Sequence, residues 1–172
     1  MTMLTDQVLG KDDEEINVDS MEDYRDIVHA MMEQAKHQID IITPDLEPAI
    51  FDTLKAEQAI FRLSKRHPNT RTRILVKDSM RSVQNGHRLI RLAQQLTSSV
   101  FIHRPSSKHI DSQSACIIVD QTGFVFRTIA SERNYKATAN FKSPRMAAKR
   151  QDQFDEIWEH SSPDMQTRRL YV

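Results

Sequence analysis

Hydrophobic and polar positions along this chain follow two periods that take turns. From Ser20 onward, Met21, Tyr24, Ile27 or Val28, Met31 and Ala35 recur every three to four residues, the spacing of one buried helix face. Ser20 followed by Asp23 is a capping-box pattern, with Asp in place of the usual Glu. The period then changes. "QIDIIT" (38–43) is rich in β-branched residues and is stopped by Pro44, which predicts a strand. Residues 47–66 return to helical spacing through Ile50, Phe51, Leu54, Ile60 and Leu63, with Pro68 and Asn69 as the stop. "RTRILV" reads as a second strand, "KDSMRSVQN" as a polar loop or first turn, "GHRLIRLAQQL" as a helix, "SVFIH" as a third strand and "RPSSKHIDSQ" as a loop. Two apolar runs, Cys116–Val119 and Phe124–Phe126, flank the polar linker Asp120-Gln-Thr-Gly123 and predict a β-hairpin. "ERNYKATANFKSP" has no period and reads as irregular. "PRMAAKRQDQFDEIWEHS" closes the chain as a helix, with Pro144 near its start and Phe154, Ile157 and Trp158 facing inward.

This order of elements predicts an α/β fold: a mixed, mainly parallel β-sheet flanked by helices, with a closing hairpin and a C-terminal helix. At 172 residues the chain is expected to form one domain over 19–172, preceded by an acidic, flexible tail over 1–18. Ligands of such sheets sit at the carboxyl ends of the parallel strands. Here those ends are "TPD" (43–45), "KDS" (77–79) and "HR" (103–104).

Composition removes most enzyme classes. With Gly10, Gly86 and Gly123 as the only glycines, there is no GxGxxG turn, P-loop or GxSxG elbow. HExxH is absent, and one cysteine, Cys116, permits no intrachain disulfide and no four-cysteine zinc site. No cofactor and no metal are therefore expected. No apolar run is long enough to cross a membrane and no secretory signal is visible, so a cytoplasmic protein without membrane partners is expected.

Net charge is zero but segregated. Residues 1–20 hold six acids and one lysine; residues 61–110 hold eleven Lys/Arg and one acid, Asp78. That asymmetry suits an anion-binding face. At the predicted strand ends the candidates for holding a phosphate or carboxylate are Asp45, Asp78, Ser79, Arg81, His87, Arg88, His103 and Arg104. Asp78 and Ser79 read equally well as caps of the next helix.

The hairpin and the element order together resemble one half of the phospholipase D superfamily. There the motif H-x-K-x4-D runs along one hairpin strand and Gly-Ser or Gly-Gly lies on the other, with the histidine as nucleophile. In "QSACIIVD" the terminal Asp120 matches, but the histidine and lysine positions fall on Gln113 and Ala115, and the Gly-Ser positions on Arg127 and Thr128. The resemblance covers about residues 20–160 and adds Asp120 and Arg127 to the ligand-binding candidates. It leaves no catalytic residue, since glutamine cannot attack phosphorus and alanine cannot neutralise a phosphate. "IDIITPDLEP", "RILVKDS", "GHRLIRLAQQL" and "FDEIWEHSSPD" more closely resemble an uncharacterised bacterial domain family of this fold, also found joined to acetyltransferase domains. The resemblance implies a homodimer, because phospholipase D halves pair. The function expected is a non-catalytic domain that binds a phosphate-bearing ligand, with nucleic acid foremost. The alternatives are a protein-interaction or regulatory module, and a cryptic enzyme on a small anion using His87, Arg104 and Asp78.

Overall fold

The computed structural model describes residues 4–168. Eight strands form one mixed sheet: β1 (Ile16–Val18), β2 (Gln38–Thr43), β3 (Arg71–Val76), β4 (Val100–Arg104), β5 (Ala115–Val119), β6 (Gly123–Arg127), β7 (Ala137–Asn140) and β8 (Ser162–Pro163), in the order β1-β7-β6-β5-β2-β3-β4-β8. β2, β3 and β4 are parallel, and every other pairing is antiparallel. One face carries α1 (Met21–Glu33), α2 (Pro48–Phe51), α3 (Leu54–Arg66), α4 (Met80–Gln84) and α5 (Arg88–Gln95); α6 (Pro144–Glu159) covers the other. The expected fold class is the one found.

The pleat divides the core. Ile39, Ile41, Ile74, Val76, Ile117 and Val119 point toward α1, α3 and α5, while Leu75, Cys116 and Ile118 meet Phe154 on α6. The buried Cys116 thiol is pushed up to about 12 by desolvation and is inert as a nucleophile. Ser20 caps α1 as the pattern predicts, its Oγ accepting from Asp23 N. The single helix predicted over 47–66 is broken at Asp52, because Thr53 takes an extended conformation and caps α3 by accepting from Ala56 N.

Two expectations change at the sheet edge. Residues 4–18 are not a free tail. Leu9 N donates to Gln34 Oε1 (2.8 Å), Gly10 N donates to Phe141 O (2.9 Å), and Ile16 and Val18 are buried as β1 against β7. Leu9 lies so close to Gly123 that a Cβ there would come within 2.6 Å of its Cδ1. The segment "ATAN", read as irregular, is β7. Ala and Asn are poor strand formers, and pairing on both sides, with β1 and β6, overrides that propensity.

Asp120 ends the hairpin at the amino ends of the parallel strands, far along β5 from Ala115. Its carboxylate accepts from Lys36 N (2.8 Å), His37 N (2.8 Å) and Gln38 N (2.9 Å). The motif aspartate is thus a cap for the start of β2 and does not join a ligand site at the other end. Asp120 also has φ 53°, which Asn tolerates better than Ala. Asp120→Ala is expected to lower unfolding free energy by about 2 kcal/mol and Asp120→Asn by less than half of that, read by urea titration. Equal losses would remove the capping explanation.

Candidate functional site

The carboxyl ends of β2 and β3, the start of β5 and the end of β6 meet at one edge, where the phospholipase-D-like motif would place its chemistry. Ala115 and Arg127 are direct partners across the β5–β6 ladder. Ala115 leaves space beside the Arg127 side chain, and positive charge is moved from one hairpin strand to the other. Gln113 is exposed, and its backbone O accepts from Ala130 N (2.7 Å).

Arg127 does not face an open pocket. Its residue is 1% exposed. Nη1 donates to Glu47, and Nη2 donates to Ser131 O and Asn134 O, each at 3.0 Å. Its guanidinium lies 4.7 Å from the Tyr24 ring centroid and 4.6 Å from that of Tyr135. Burial works against the Arg127 charge, but Glu47 and Tyr24 outweigh it and hold its pKa above the usual value. Burial also pushes the Tyr24 hydroxyl and the Glu47 carboxyl up, the latter against the pull of Arg127. Thr43 Oγ1 donates to Glu47 Oε2 (3.1 Å), so the end of β2 is tied into the same cluster.

The loop that delivers Glu47 is strained. Leu46 has φ 68° and Glu47 φ 23°, conformations that side chains other than glycine avoid. Three bonds hold it there. Asp45 Oδ1 accepts from Glu47 N (3.0 Å), Asp45 O accepts from Ser82 Oγ (2.8 Å) and Leu46 O accepts from His87 Nε2 (2.9 Å). Above it, a cleft of about 600 Å³ lies between Pro44, Asp45, Glu47, Pro48 and the loop Ala130–Tyr135. Asp45, Glu47 and Glu132 face it, and no lysine or arginine lines it. With Glu47 paired to Arg127, Asp45 and Glu132 leave this cleft acidic and unsuited to an anion.

The remaining candidates are dispersed. His87 is 1% exposed and fully engaged, since Nδ1 accepts from Leu89 N (3.1 Å) while Nε2 donates to Leu46 O. It starts α5 and is not available to an anion. Arg88 sits 3.7 Å from Asp52 and 3.8 Å from Glu57. His103 is stacked on Trp158, centroids 3.8 Å apart, with Nδ1 2.8 Å from Ser161 Oγ. Asp78 Oδ1 accepts from Met80 N (3.1 Å), the capping role, and Ser79 is buried without a side-chain bond to the helix. Arg81 and Arg104 are exposed, in α4 and at the end of β4. The cryptic-enzyme set His87, Arg104 and Asp78 thus contains no imidazole free to act on a bound substrate.

Desolvation lowers the pKa of His29, His87 and His103, against the backbone bonds to Ile50 and Leu46 for the first two. The unfolded chain takes up protons on these imidazoles below about pH 6.5, whereas the folded chain resists them. Their contribution to stability is present above pH 6.5 and is lost as pH falls toward the lowered folded values. The urea midpoint is expected to be flat from pH 7 to 8 and to drop between pH 6.5 and about 5. A midpoint unchanged at pH 5 would contradict this.

The opposite edge holds what the strand-end reasoning missed. At the amino ends of β2 and β3, a groove of about 450 Å³ is lined by Lys36, His37, Arg66, His67, Asn69 and Thr70. Arg62 and Lys65 on α3 and Arg71 at the start of β3 are also exposed. None of these cations forms an ion pair among the described residues. Nearby, Asp120 is occupied by its three backbone N–H donors. The charge segregation of the sequence signalled these residues, but periodicity could not say at which end of the strands they would gather. Among the described residues no group of three or more His, Cys, Asp or Glu is arranged to hold a metal ion, and no helix is long and apolar enough to cross a membrane.

The chain belongs to the family described as a domain of unknown function (DUF7931), whose family profile matches residues 20–170. Comparison by sequence with curated proteins finds no match. By structure the chain is similar to TrmBL2, an archaeal chromatin protein that shows a novel mode of DNA binding, with a TM-score of 0.64 and 18% identity. The match covers 87% of this chain and 54% of that one, so this chain spans about half of its length. It is also similar to Nuc, a phospholipase D family member from Salmonella typhimurium, with a TM-score of 0.62 and 15% identity over 88% of this chain and 97% of that one. NucT from Helicobacter pylori matches with a TM-score of 0.55 and 11% identity over 88% and 100%. At these identities the likeness establishes the fold, which is phospholipase-D-like.

Proposed function

Within this family of unknown function, we propose that the chain is a phospholipase-D-like module that does not hydrolyse phosphodiesters and that holds nucleic acid by its phosphates at the amino ends of its parallel strands. The observation that carries the binding is the groove of Lys36, His37, Arg66 and His67, flanked by Arg62, Lys65 and Arg71, with no acid on its lining. Lysine and arginine bind phosphate by charge, and Asn69 and Thr70 add neutral hydrogen-bonding groups. No phenylalanine, tyrosine or tryptophan lines the groove, so any base stacking is left to the His37 and His67 imidazoles and binding is expected to depend little on sequence. The structural likeness to a chromatin protein that binds DNA is in keeping with this reading.

The absence of hydrolysis rests on the other edge. Gln113 and Ala115 stand where the motif has its nucleophile and its phosphate-neutralising lysine, and Arg127 is held by Glu47 over the Tyr24 and Tyr135 rings. A generic phosphodiester such as bis(p-nitrophenyl) phosphate is expected to be left intact. Metal-independent turnover abolished by His103→Ala would defeat this half of the proposal.

The binding half is tested by fluorescence anisotropy of a labelled duplex. With about four phosphate contacts, affinity is expected to fall on the order of a hundredfold between 50 and 200 mM salt. Lys36→Glu with Arg66→Glu should weaken binding at least tenfold and flatten the salt slope by about two. Binding unaffected by this pair, or absent at 50 mM salt, would overturn it.

A further inference from the structure

A third cavity lies on the other face of the sheet, beside α6, and the proposed function does not account for it. It measures about 310 Å³, at the lower end of small-molecule sites. Its floor is apolar: Ile42 of β2, Phe126 of β6 and Ile157 of α6. Its polar groups converge from two elements. Arg150 comes from α6, and His109, Ser112 and Ser114 come from the loop that leads into β5.

Two of these groups are short of partners. Among the described residues five buried side-chain polar atoms have no hydrogen-bond partner, and two of them, His109 Nε2 and Arg150 Nε, belong to residues lining this one cavity. A buried polar atom left without a partner is destabilising, and native structures rarely keep one without a reason. Arg150 offers five N–H donors, of which Nη1 is given to Gln153 Oε1 (3.2 Å). Its guanidinium carbon lies over the Phe126 ring, 3.6 Å from the centroid, a cation–π contact that favours this placement of the fork. No carboxylate pairs with it among the described residues. Ser112 and Ser114 hydroxyls are hydrogen-bonded to each other at 3.1 Å, which uses one proton and leaves the other for an acceptor in the cavity. Glu156, exposed on α6, is the one acid on the lining.

A guanidinium with no carboxylate partner, beside serine hydroxyls and above an apolar floor, suits an oxygen-rich acceptor of small size. We propose that this cavity is a binding site for a small oxyanion, a phosphate or carboxylate group on a compact organic body, held by Arg150 with His109, Ser112 and Ser114. The site is independent of the basic groove, which lies at the amino ends of the parallel strands.

The test is thermal denaturation at constant ionic strength with inorganic phosphate, acetate or chloride. At a hundredfold excess over Kd, phosphate or acetate is expected to raise Tm by about 5–10 °C over chloride. The effective anion identifies which oxyanion the site takes. Arg150→Gln should abolish the shift, and Arg150→Lys should retain part of it. Lys36→Glu with Arg66→Glu should leave the shift intact, which separates this site from the groove. NMR of the Arg150 Nε–H resonance gives a readout free of folding effects, since it should move on titration with the effective anion. No shift with either anion, an equal shift in Arg150→Gln, or a shift lost only in the Lys36/Arg66 variant would overturn the proposal.

Discussion

Arg127→Ala is expected to cost about 3–5 kcal/mol of unfolding free energy, among the largest single effects in the molecule. The substitution removes one partner of a buried pair and leaves the Glu47 carboxylate enclosed, with only Thr43 Oγ1 donating to its side chain. It also removes the donors to Ser131 O and Asn134 O and the cation beside the Tyr24 and Tyr135 rings. The loop Ala130–Tyr135 is expected to loosen, read as faster amide exchange there. Arg127→Met combined with Glu47→Gln should recover more than half of the loss, because an apolar or neutral pair of similar volume avoids burying a lone charge. A single-variant loss below about 1 kcal/mol would mean that the pair is dispensable. The physical content is that Arg127 is structural here: it forms a core ion pair with Glu47.

Asp40→Ala is expected to be of similar size, about 3–5 kcal/mol. Asp40 is fully buried on β2 and accepts from Arg73 Nε (2.8 Å) and Nη2 (3.1 Å), its register partner on β3. Gln38 and Gln151 each donate to Asp40 Oδ2 at 2.9 Å, and Arg73 reaches Asp155 on α6 at 2.9 Å. The Arg73 guanidinium sits 4.8 Å from the Phe154 ring centroid and 5.4 Å from that of Trp158. Asp40, with the Coulombic and hydrogen-bonding support of Asp155, overcomes the burial penalty and raises the Arg73 pKa. This network docks α6 onto the sheet, and without Asp40 the charge under α6 loses its bidentate partner. Trp158 is the only tryptophan in the chain, so its fluorescence should report α6 loosening directly. Asp40→Leu with Arg73→Met should lose less than the sum of the single variants. Additive losses with an unchanged Trp158 spectrum would refute the docking role.

These two clusters show why the anion site could not be placed from sequence. Arg73 and Arg127 count as positive charge in any window, yet both are cancelled by carboxylates distant in the chain. Asp40 lies 33 residues from Arg73, and Glu47 lies 80 from Arg127. His87 and Arg88 are likewise engaged by Leu46 O and by Asp52 and Glu57. Of the cations that form no ion pair among the described residues, Lys36, Arg62, Lys65, Arg66 and Arg71 come from the end of α3 and the starts of β2 and β3, which the parallel pairing of those strands brings together.

What the chain determined by itself is local and periodic. The α1 face and the inward edge of α6 were legible because burial on one helix face imposes a period, and β2, β3, β4 and the β5–β6 hairpin were legible as short β-branched or apolar runs between turn residues. The motif positions Gln113, Ala115, Asp120 and Arg127 were legible too, as residue types at fixed spacing. The tertiary structure decided the rest. It laid residues 4–18 onto the sheet edge, made "ATAN" a strand by pairing it on both sides, and turned Asp120 into a cap for β2. It also set an acidic cleft where a phosphate pocket was expected. Each of these outcomes depends on contacts between segments far apart in sequence, where pairing and charge cancellation outweigh local propensity and local charge counts.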